Sequence, residues 1–321
     1  MRTATPEETG EFQHEALLYA DQDEFLAGVA PLVREALDQG LQVLAAVRAS
    51  NARLLRAELG ADAERMRFAD KEALGRNPAR IIPIWRDFVD AYVAAGRGAL
   101  GIGEPVWPGR TEAELVECHH HESLLNTAFA SGPAWRLVCP YDAGALDDAV
   151  LEEAARSHSV VNAAGVVRSS GTYVPSNGRP FTGPLTEPPA DAERFEFDAD
   201  EVAALRHHVV RRAAAANLTP ERSGDLGLAV TELVSNSVRH GGGSGSLRLW
   251  IEYGWLICEV TDAGRFRDSL VGRLRPSSDR PDGRGLWLTN QICDLVQIRN
   301  APEGARVRLQ MRIAGTATPS G

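Results

Sequence analysis

The sequence predicts an α/β protein of two domains, and three observations carry that reading. Short apolar runs alternate with amphipathic helical stretches from about residue 12 to 160. A break rich in proline follows, with Pro175, Pro180, Pro184, Pro188 and Pro189. After it the order changes to helices first, then paired strands of two-residue period. The first pattern describes βαβ units around a mainly parallel sheet, and the second a two-layer sheet with helices on one face. At roughly 100–200 residues per domain, a chain of 321 residues holds two cores.

In the first segment the strand candidates are 16–20, 41–47, 66–68, 99–103 and 135–139, with helical patterns near 22–38, 51–59, 78–95, 111–131 and 144–156. Gly40, Gly60 and Gly96 each follow a helical stretch, where a C-terminal cap prefers glycine. Residues 160–174 fit a strand or hairpin on the domain edge. The expected boundaries are 1–175 for the first domain, 176–192 for a linker and 193–321 for the second domain. There the expected helices are 199–216, 220–240 and 286–293, and the strands 247–252, 256–261, 295–299 and 306–313. The last strand alternates Val307, Leu309, Met311 and Ile313 with Arg306, Arg308, Gln310 and Arg312, the pattern of a half-buried antiparallel strand.

Composition removes several function classes. A net charge of -10 argues against a general nucleic-acid binder, since a phosphate backbone needs clustered positive charge. Lys71 is the only lysine and no Gly-Lys-Ser/Thr triplet exists, so a Walker A loop is excluded. Its polar Asp-Lys-Glu setting speaks against Schiff-base chemistry. Cys118, Cys139, Cys258 and Cys293 form no Cys-x-x-Cys pair, and scattered thiols suit a reducing compartment. The polar N-terminus lacks the apolar core of a signal peptide, and no apolar run reaches about 18 residues. These features lead us to expect a cytoplasmic protein without a membrane partner.

The chemistry-bearing residues cluster in the second domain. Glu232, Asn236 and His240 are spaced i, i+4, i+8 and share one helix face. Such a face also suits plain solvation. A carboxylate one turn before a carboxamide, however, offers a general base beside a hard oxygen ligand for magnesium. Asp262 ends a strand and Gly264 follows, an arrangement that lets an exocyclic amino group approach the carboxylate. Asp282-Gly283-Arg284-Gly285-Leu286 opens a helix, where exposed N–H groups attract an anion.

These three elements, in this order, resemble the boxes of the Bergerat-fold (GHKL) ATPases, the group of histidine kinases, gyrase, Hsp90 and MutL. Glu232-Leu233-Val234-Ser235-Asn236-Ser237-Val238-Arg239-His240-Gly241 resembles the N box. Val260-Thr261-Asp262-Ala263-Gly264 and Gly283-Arg284-Gly285-Leu286-Trp287-Leu288 resemble the two glycine boxes. The likeness is strongest to the anti-sigma factor serine-protein kinases. It implies ATP and Mg2+ as cofactors, Glu232 as general base, Asn236 as magnesium ligand and Asp262 as the adenine-reading carboxylate. His240, Gly264, Gly283, Arg284, Gly285 and Leu286 would flank the nucleotide. The implied partners are an anti-anti-sigma-type protein substrate and a sigma factor, with a homodimer as the expected assembly. Phe266 stands where many relatives carry the second glycine of the first box. The lid, about 265–282, carries Arg265, Arg267, Arg273, Arg275 and Arg280. Two rival readings are a non-catalytic nucleotide-binding or docking module, and a histidine kinase using His207 or His208. The latter lacks a second long helix for a dimerisation hairpin.

The first domain resembles the MEDS sensory domain of methanogen and methylotroph regulators. The matching segments are His14-Glu15-Ala16-Leu17-Leu18-Tyr19, Gly103-Glu104-Pro105-Val106-Trp107, Glu122-Ser123-Leu124-Leu125-Asn126 and Cys139-Pro140-Tyr141-Asp142. That likeness implies a doubly wound sheet of RecA/KaiC-like layout and a small organic ligand. Ligands of open parallel sheets lie beyond the carboxyl ends of the strands. His14, Tyr19, Glu104, Trp107, Glu122 and Tyr141 are the candidate pocket residues. Cys118-His119-His120-His121-Glu122 also raises a metal hypothesis: Cys118, His121 and Glu122 share a helix face, and His14 or Cys139 would complete the set.

Overall fold

The computed structural model describes residues 11–72, 74, 77–92, 96–175, 181, 183–276 and 283–313. The chain divides into two compact units, Met1–Asn177 and Gly178–Gly321. Arg280 and Asp282 of the expected lid and glycine box lie outside the described residues.

The first unit carries β1 (Gln13–Tyr19), α1 (Gln22–Asp38), β2 (Gln42–Val47), α2 (Ala49–Leu59), β3 (Arg67–Asp70), α3 (Ile81–Tyr92) and β4 (Ala99–Gly103). It continues with α4 (Glu112–Phe129), β5 (Arg136–Asp142), α5 (Asp148–Ser157), β6 (Val160–Ala163) and β7 (Val166–Ser169). Among the described residues these strands form one sheet of order β3-β2-β4-β5-β1-β6-β7. Every pairing is parallel except the β6–β7 hairpin on the edge. This is the doubly wound, mainly parallel sheet that the sequence predicts.

Alternation along the strands sorts side chains onto two layers. Leu17, Tyr19, Val43, Ala45, Val47 and Val138 meet Phe25, Val29 and Val33 of α1 and Leu55 of α2. The opposite face of β1 and β5 presents His14 and Cys139. There Gly101 leaves room for two indoles: a Cβ on it would stand 2.9 Å from Trp85 and 3.0 Å from Trp135. Helix α4 starts in a capping box between Thr111 and Glu114. It buries Glu114, Glu117, His121 and Glu122 together with its apolar residues, so its inward side is mixed, with the titratable groups in its first three turns.

The second unit carries β8 (Glu193–Phe197), α6 (Val202–Ala215), α7 (Pro220–His240), β9 (Gly245–Glu252) and β10 (Trp255–Asp262). Then come α8 (Arg284–Ile292), β11 (Leu295–Ala301) and β12 (Gly304–Arg312). The sheet order is β11-β12-β10-β9-β8, antiparallel throughout. Leu226, Val230 and Leu233 of α7 join Leu247, Leu256, Cys258, Leu309 and Met311 of the sheet in one core. This is the expected two-layer sandwich.

One expectation needs correction. Strand β12 is buried on both sides, and Arg308 and Gln310 are only 4% and 6% exposed. The Arg308 guanidinium donates to Glu259 Oε2 at 2.7 Å and to the Thr186 carbonyl at 2.6 Å. Gln310 pairs with Gln297 at 2.9 Å. The polar period thus marks an ion pair and amide contacts under a covering segment, in place of the solvent-facing side that the alternation predicts. That segment belongs to the Pro-rich stretch. Phe181 lies in the core of the second unit, Glu187 pairs with Arg306, and Ala192 packs against Trp250, Trp255 and Ile257.

Candidate functional site

The C-terminal end of α7, the end of β10 and the start of α8 converge. Two glycines measure how closely. A Cβ on Gly285 would stand 2.3 Å from Glu232 Oε2, and one on Gly241 would stand 2.4 Å from Asp262 Cγ. The carboxylates of α7 and β10 are therefore packed directly against bare backbone, and any larger residue would fill that space.

Asp262 is oriented by two donors. The Gly264 N–H reaches Oδ1 at 2.7 Å and the Ser237 hydroxyl reaches Oδ2 at 2.5 Å. Each oxygen keeps a lone pair for an external donor such as an adenine amino group. The turn is closed by the Ala263 N–H on the Gly241 carbonyl at 3.0 Å. Glu232 and Asn236 stand half-buried on the same face of α7, and Asn236 Oδ1 accepts from Arg239 at 3.1 Å. His240 is exposed at the helix end. Helix α8 starts from Gly283 at φ 85°, and this N-cap glycine has no side chain with which to cap the first N–H groups. Such an uncapped end suits a phosphate. Arg284 is exposed there, while Leu286 turns into the core. Carboxylate, carboxamide oxygen and free N–H groups together fit a magnesium nucleotide.

Phe266, which replaces a glycine of the family pattern, has a structural job. Its ring lies 5.6 Å from that of Phe181. Its N–H donates to Asn300 Oδ1 at 3.0 Å, and its carbonyl accepts from Asn300 Nδ2 at 2.9 Å. The start of the lid is thereby pinned to β11. Arg265 donates to the Pro302 carbonyl at 2.9 Å, and Arg273 is buried. His207 and His208 lie on α6, which packs on α7. His207 Nδ1 meets the Ala203 carbonyl and His208 Nε2 meets Glu193, each at 2.8 Å.

In the first unit the candidate pocket residues fall into separate groups. Tyr19 faces α1 and lines a cleft of about 630 Å³ with Asp21, Arg48, Asn51 and Asp142. Burial, then the Glu104 charge, pushes its phenol up to about 12. Glu104 accepts from Arg48 at 2.7 and 2.8 Å. Trp107 stacks under the Arg110 guanidinium at 3.7 Å. On the other face, His14, Glu122 and Tyr141 come together with Cys139 and His158. Tyr141 donates to Glu122 Oε2 at 3.4 Å. Burial works to raise the Glu122 pKa, but the His14 and His158 imidazoles beside it outweigh that and hold the carboxyl well below its usual range. Burial, then repulsion from His158, pulls His14 down to about 4. Burial pushes the Cys139 thiol well up, with Glu122 adding to it.

Lys71 corrects a further expectation. Its polar Asp-Lys-Glu setting speaks against Schiff-base chemistry in the sequence, yet the side chain is 3% exposed. Burial lowers its pKa, opposed first by the charge of Glu122. Sequence reading also overlooked His158, which follows α5 and enters from the edge of the sheet. All four cysteines are buried and none is in a disulfide.

Fold and site together define a doubly wound α/β unit followed by a two-layer α/β unit with a candidate nucleotide site. Residues 13–159 match the family model of the MEDS domain, the methanogen/methylotroph DcmR sensory domain. Residues 195–311 match that of the histidine kinase-like ATPase domain. The chain thus carries a MEDS domain followed by a histidine kinase-like ATPase domain. No curated protein matches it at a significant level. No helix among the described residues is long and apolar enough to cross a membrane.

Proposed function

We propose that the protein is a ligand-controlled protein serine/threonine kinase of the anti-sigma factor type. A sensory domain followed by an ATPase domain is the make-up of a signalling regulator. The finer reading adds that the second unit binds Mg-ATP and phosphorylates an anti-anti-sigma-type protein, with a sigma factor as a further partner. A small organic ligand at the first unit sets its output in this scheme, in the cytoplasm.

The observation that carries the reading is the packing of Glu232 against Gly285 in the first turn of α8. It supports the reading because a phosphate received by the α8 N–H groups would then lie beside a carboxylate. When bound, Mg-ATP supplies the phosphoryl group. Asp262 orients the adenine end, Asn236 offers its carbonyl oxygen to the metal, and the α8 N–H groups receive phosphate oxygens. Glu232 accepts the proton of the incoming hydroxyl.

The test is phosphotransfer from labelled Mg-ATP to candidate anti-anti-sigma domains, with the intact chain and with Glu232→Ala. The expected outcome is an acid-stable phosphoprotein with the wild type and loss of transfer with the variant, nucleotide binding being kept. Equal transfer by both would remove Glu232 from its role. Acid-labile label on the chain itself would point to a phosphohistidine instead.

A further inference from the structure

The geometry points to a buried zinc site in the first unit, formed by His14, Glu122, Cys139 and His158. Four separate elements supply the donors: β1, α4, β5 and the turn between α5 and β6. Their ligand atoms all lie within 4.8 Å of one another, and all four residues are buried. The pairs within the set measure 3.3 Å from His158 Nε2 to Glu122 Oε2, 3.4 Å from His14 Nε2 to Cys139 Sγ, and 3.5 Å from His14 Nε2 to Glu122 Oε2. Tetrahedral zinc with bonds of about 2.0–2.3 Å needs donor–donor separations of about 3.3–3.7 Å. Three of the six pairs already have that spacing, and the remaining pairs, all within 4.8 Å, need to close by no more than about 1.5 Å.

The outer contacts select the atoms that face inward. His14 Nδ1 meets Asn126 Oδ1 at 3.1 Å, and the Asn126 amide nitrogen donates to the Ser157 carbonyl at 2.8 Å, which fixes the amide's orientation. His14 must therefore carry its proton on Nδ1. His158 Nδ1 meets the Ala154 carbonyl at 2.7 Å, which assigns its proton in the same way. Both Nε2 atoms then face the Glu122 carboxylate, at 3.5 and 3.3 Å. His158 Nε2 is fully buried and makes no hydrogen bond. With both rings neutral, two nitrogen lone pairs and a carboxylate share one small space, an arrangement that suits a cation between them. Histidine ligands oriented by outer acceptors are the usual form of a metal site.

Donor chemistry selects the ion. Two imidazoles, a thiolate and a carboxylate are too nitrogen- and sulfur-rich for magnesium or calcium. They suit zinc, which accepts all three ligand types. One thiolate and one carboxylate also balance the charge of a divalent ion, so the centre is buried without net charge. Binding releases one proton to solvent as the Cys139 thiol becomes a thiolate. The set differs from the one that sequence spacing suggested. Glu122 belongs to it and Cys139 completes it, whereas Cys118 and His121 stand outside. All four positions come from the protein, so the ion cross-links β1, β5, α4 and the β6 edge beneath Tyr141. The inference is independent of the kinase reading.

The test uses the full-length chain, purified without chelator and without a histidine tag, under reducing conditions. Elemental analysis is expected to find one zinc per chain, lost in Cys139→Ser and His158→Ala and kept in His120→Ala. Asn126→Ala, which removes only the outer partner of His14, is expected to weaken zinc by about 10–100-fold. Cobalt uptake by wild-type protein is expected to give tetrahedral d–d bands and a sulfur-to-cobalt charge-transfer band, which decides the matter should a variant fail to fold. Three results would overturn the site: wild-type protein that takes up neither zinc nor cobalt, zinc retained by both ligand variants, or copper or iron in place of zinc. A metal-free protein would leave Lys71 as the counter-charge of Glu122.

Discussion

The Ser237 hydroxyl donates to Asp262 Oδ2 across 2.5 Å and so ties α7 to the end of β10. Ser237 is buried and has no path of its own to a ligand. Its effect on a nucleotide must pass through the carboxylate that it orients. Loss of a hydrogen bond to a charged group costs about 1.5–3 kcal/mol, or roughly 10–100-fold in affinity. Asp262→Ala is expected to lose Mg-ATP binding by at least that factor in calorimetry. Ser237→Ala leaves the carboxylate in place and held by Gly264, so its expected loss is only about 2–10-fold. Equal losses in both would mean that Ser237 has a structural part beyond orienting Asp262.

Gly285 separates binding from chemistry. A methyl group there would meet Glu232 Oε2 at 2.3 Å and its Cβ at 3.3 Å. The flexible carboxylate gives way more easily than the helix. Gly285→Ala is therefore expected to swing Glu232 off its position while α8 and its N–H groups stay in place. Mg-ATP affinity should change by less than about tenfold, and phosphotransfer should fall by about 10²–10⁴-fold, the range of a misplaced general base. A large affinity loss with an unchanged rate of transfer would show the reverse division of labour.

Both sheets and the three boxes of the ATPase unit were legible because periodicity and spacing are local properties of the chain. The cluster of His14, Glu122, Cys139 and His158 was legible only in part. Its ligands sit at 14, 122, 139 and 158, and only Glu122 and its helix neighbours form a local pattern. Cys118 faces Glu122 on a helix, but the partners of Glu122 come from across the sheet, a relation that register decides. Parallel pairing sets Glu15 beside Val160 and so carries His158 to the strand that bears His14. Lys71 and the polar side of β12 were misread for a shared reason. Charged neighbours in sequence suggest solvent, yet each of these groups is buried against an opposite charge that is remote in sequence.

The Glu259–Arg308 pair offers a test of that last point. Both side chains are 5% exposed or less, and their closest approach is 2.7 Å. Removing one member of a buried pair strands the other charge at a cost of about 3–5 kcal/mol. Glu259→Gln is expected to destabilise the second unit by about that amount in urea titration. Replacing both, as Glu259→Gln with Arg308→Met, should recover more than half of the loss, because no buried charge is then left over. Additive losses would mean that the contacts of Arg308 with Thr186 dominate.

Phe181 links the Pro-rich stretch to the nucleotide site without touching a nucleotide. Its ring is buried in the second unit's core and faces Phe266, and its carbonyl accepts from the Asn300 N–H at 3.1 Å. Asn300 in turn holds both backbone groups of Phe266. Truncating a buried phenylalanine costs about 3–5 kcal/mol. Phe181 also has φ 63°, where a Cβ is strained by roughly 1–2 kcal/mol and glycine is not. Phe181→Gly is therefore expected to be less destabilising than Phe181→Ala by about 1 kcal/mol, the opposite of the usual order. Both should loosen the start of the lid and weaken Mg-ATP several-fold. Thermal unfolding followed by the nucleotide unit's own ligand binding measures the two effects together. If alanine proved the milder change, the left-handed backbone at 181 would not persist in solution, and the pinning of Phe266 would have to rest on Asn300 alone.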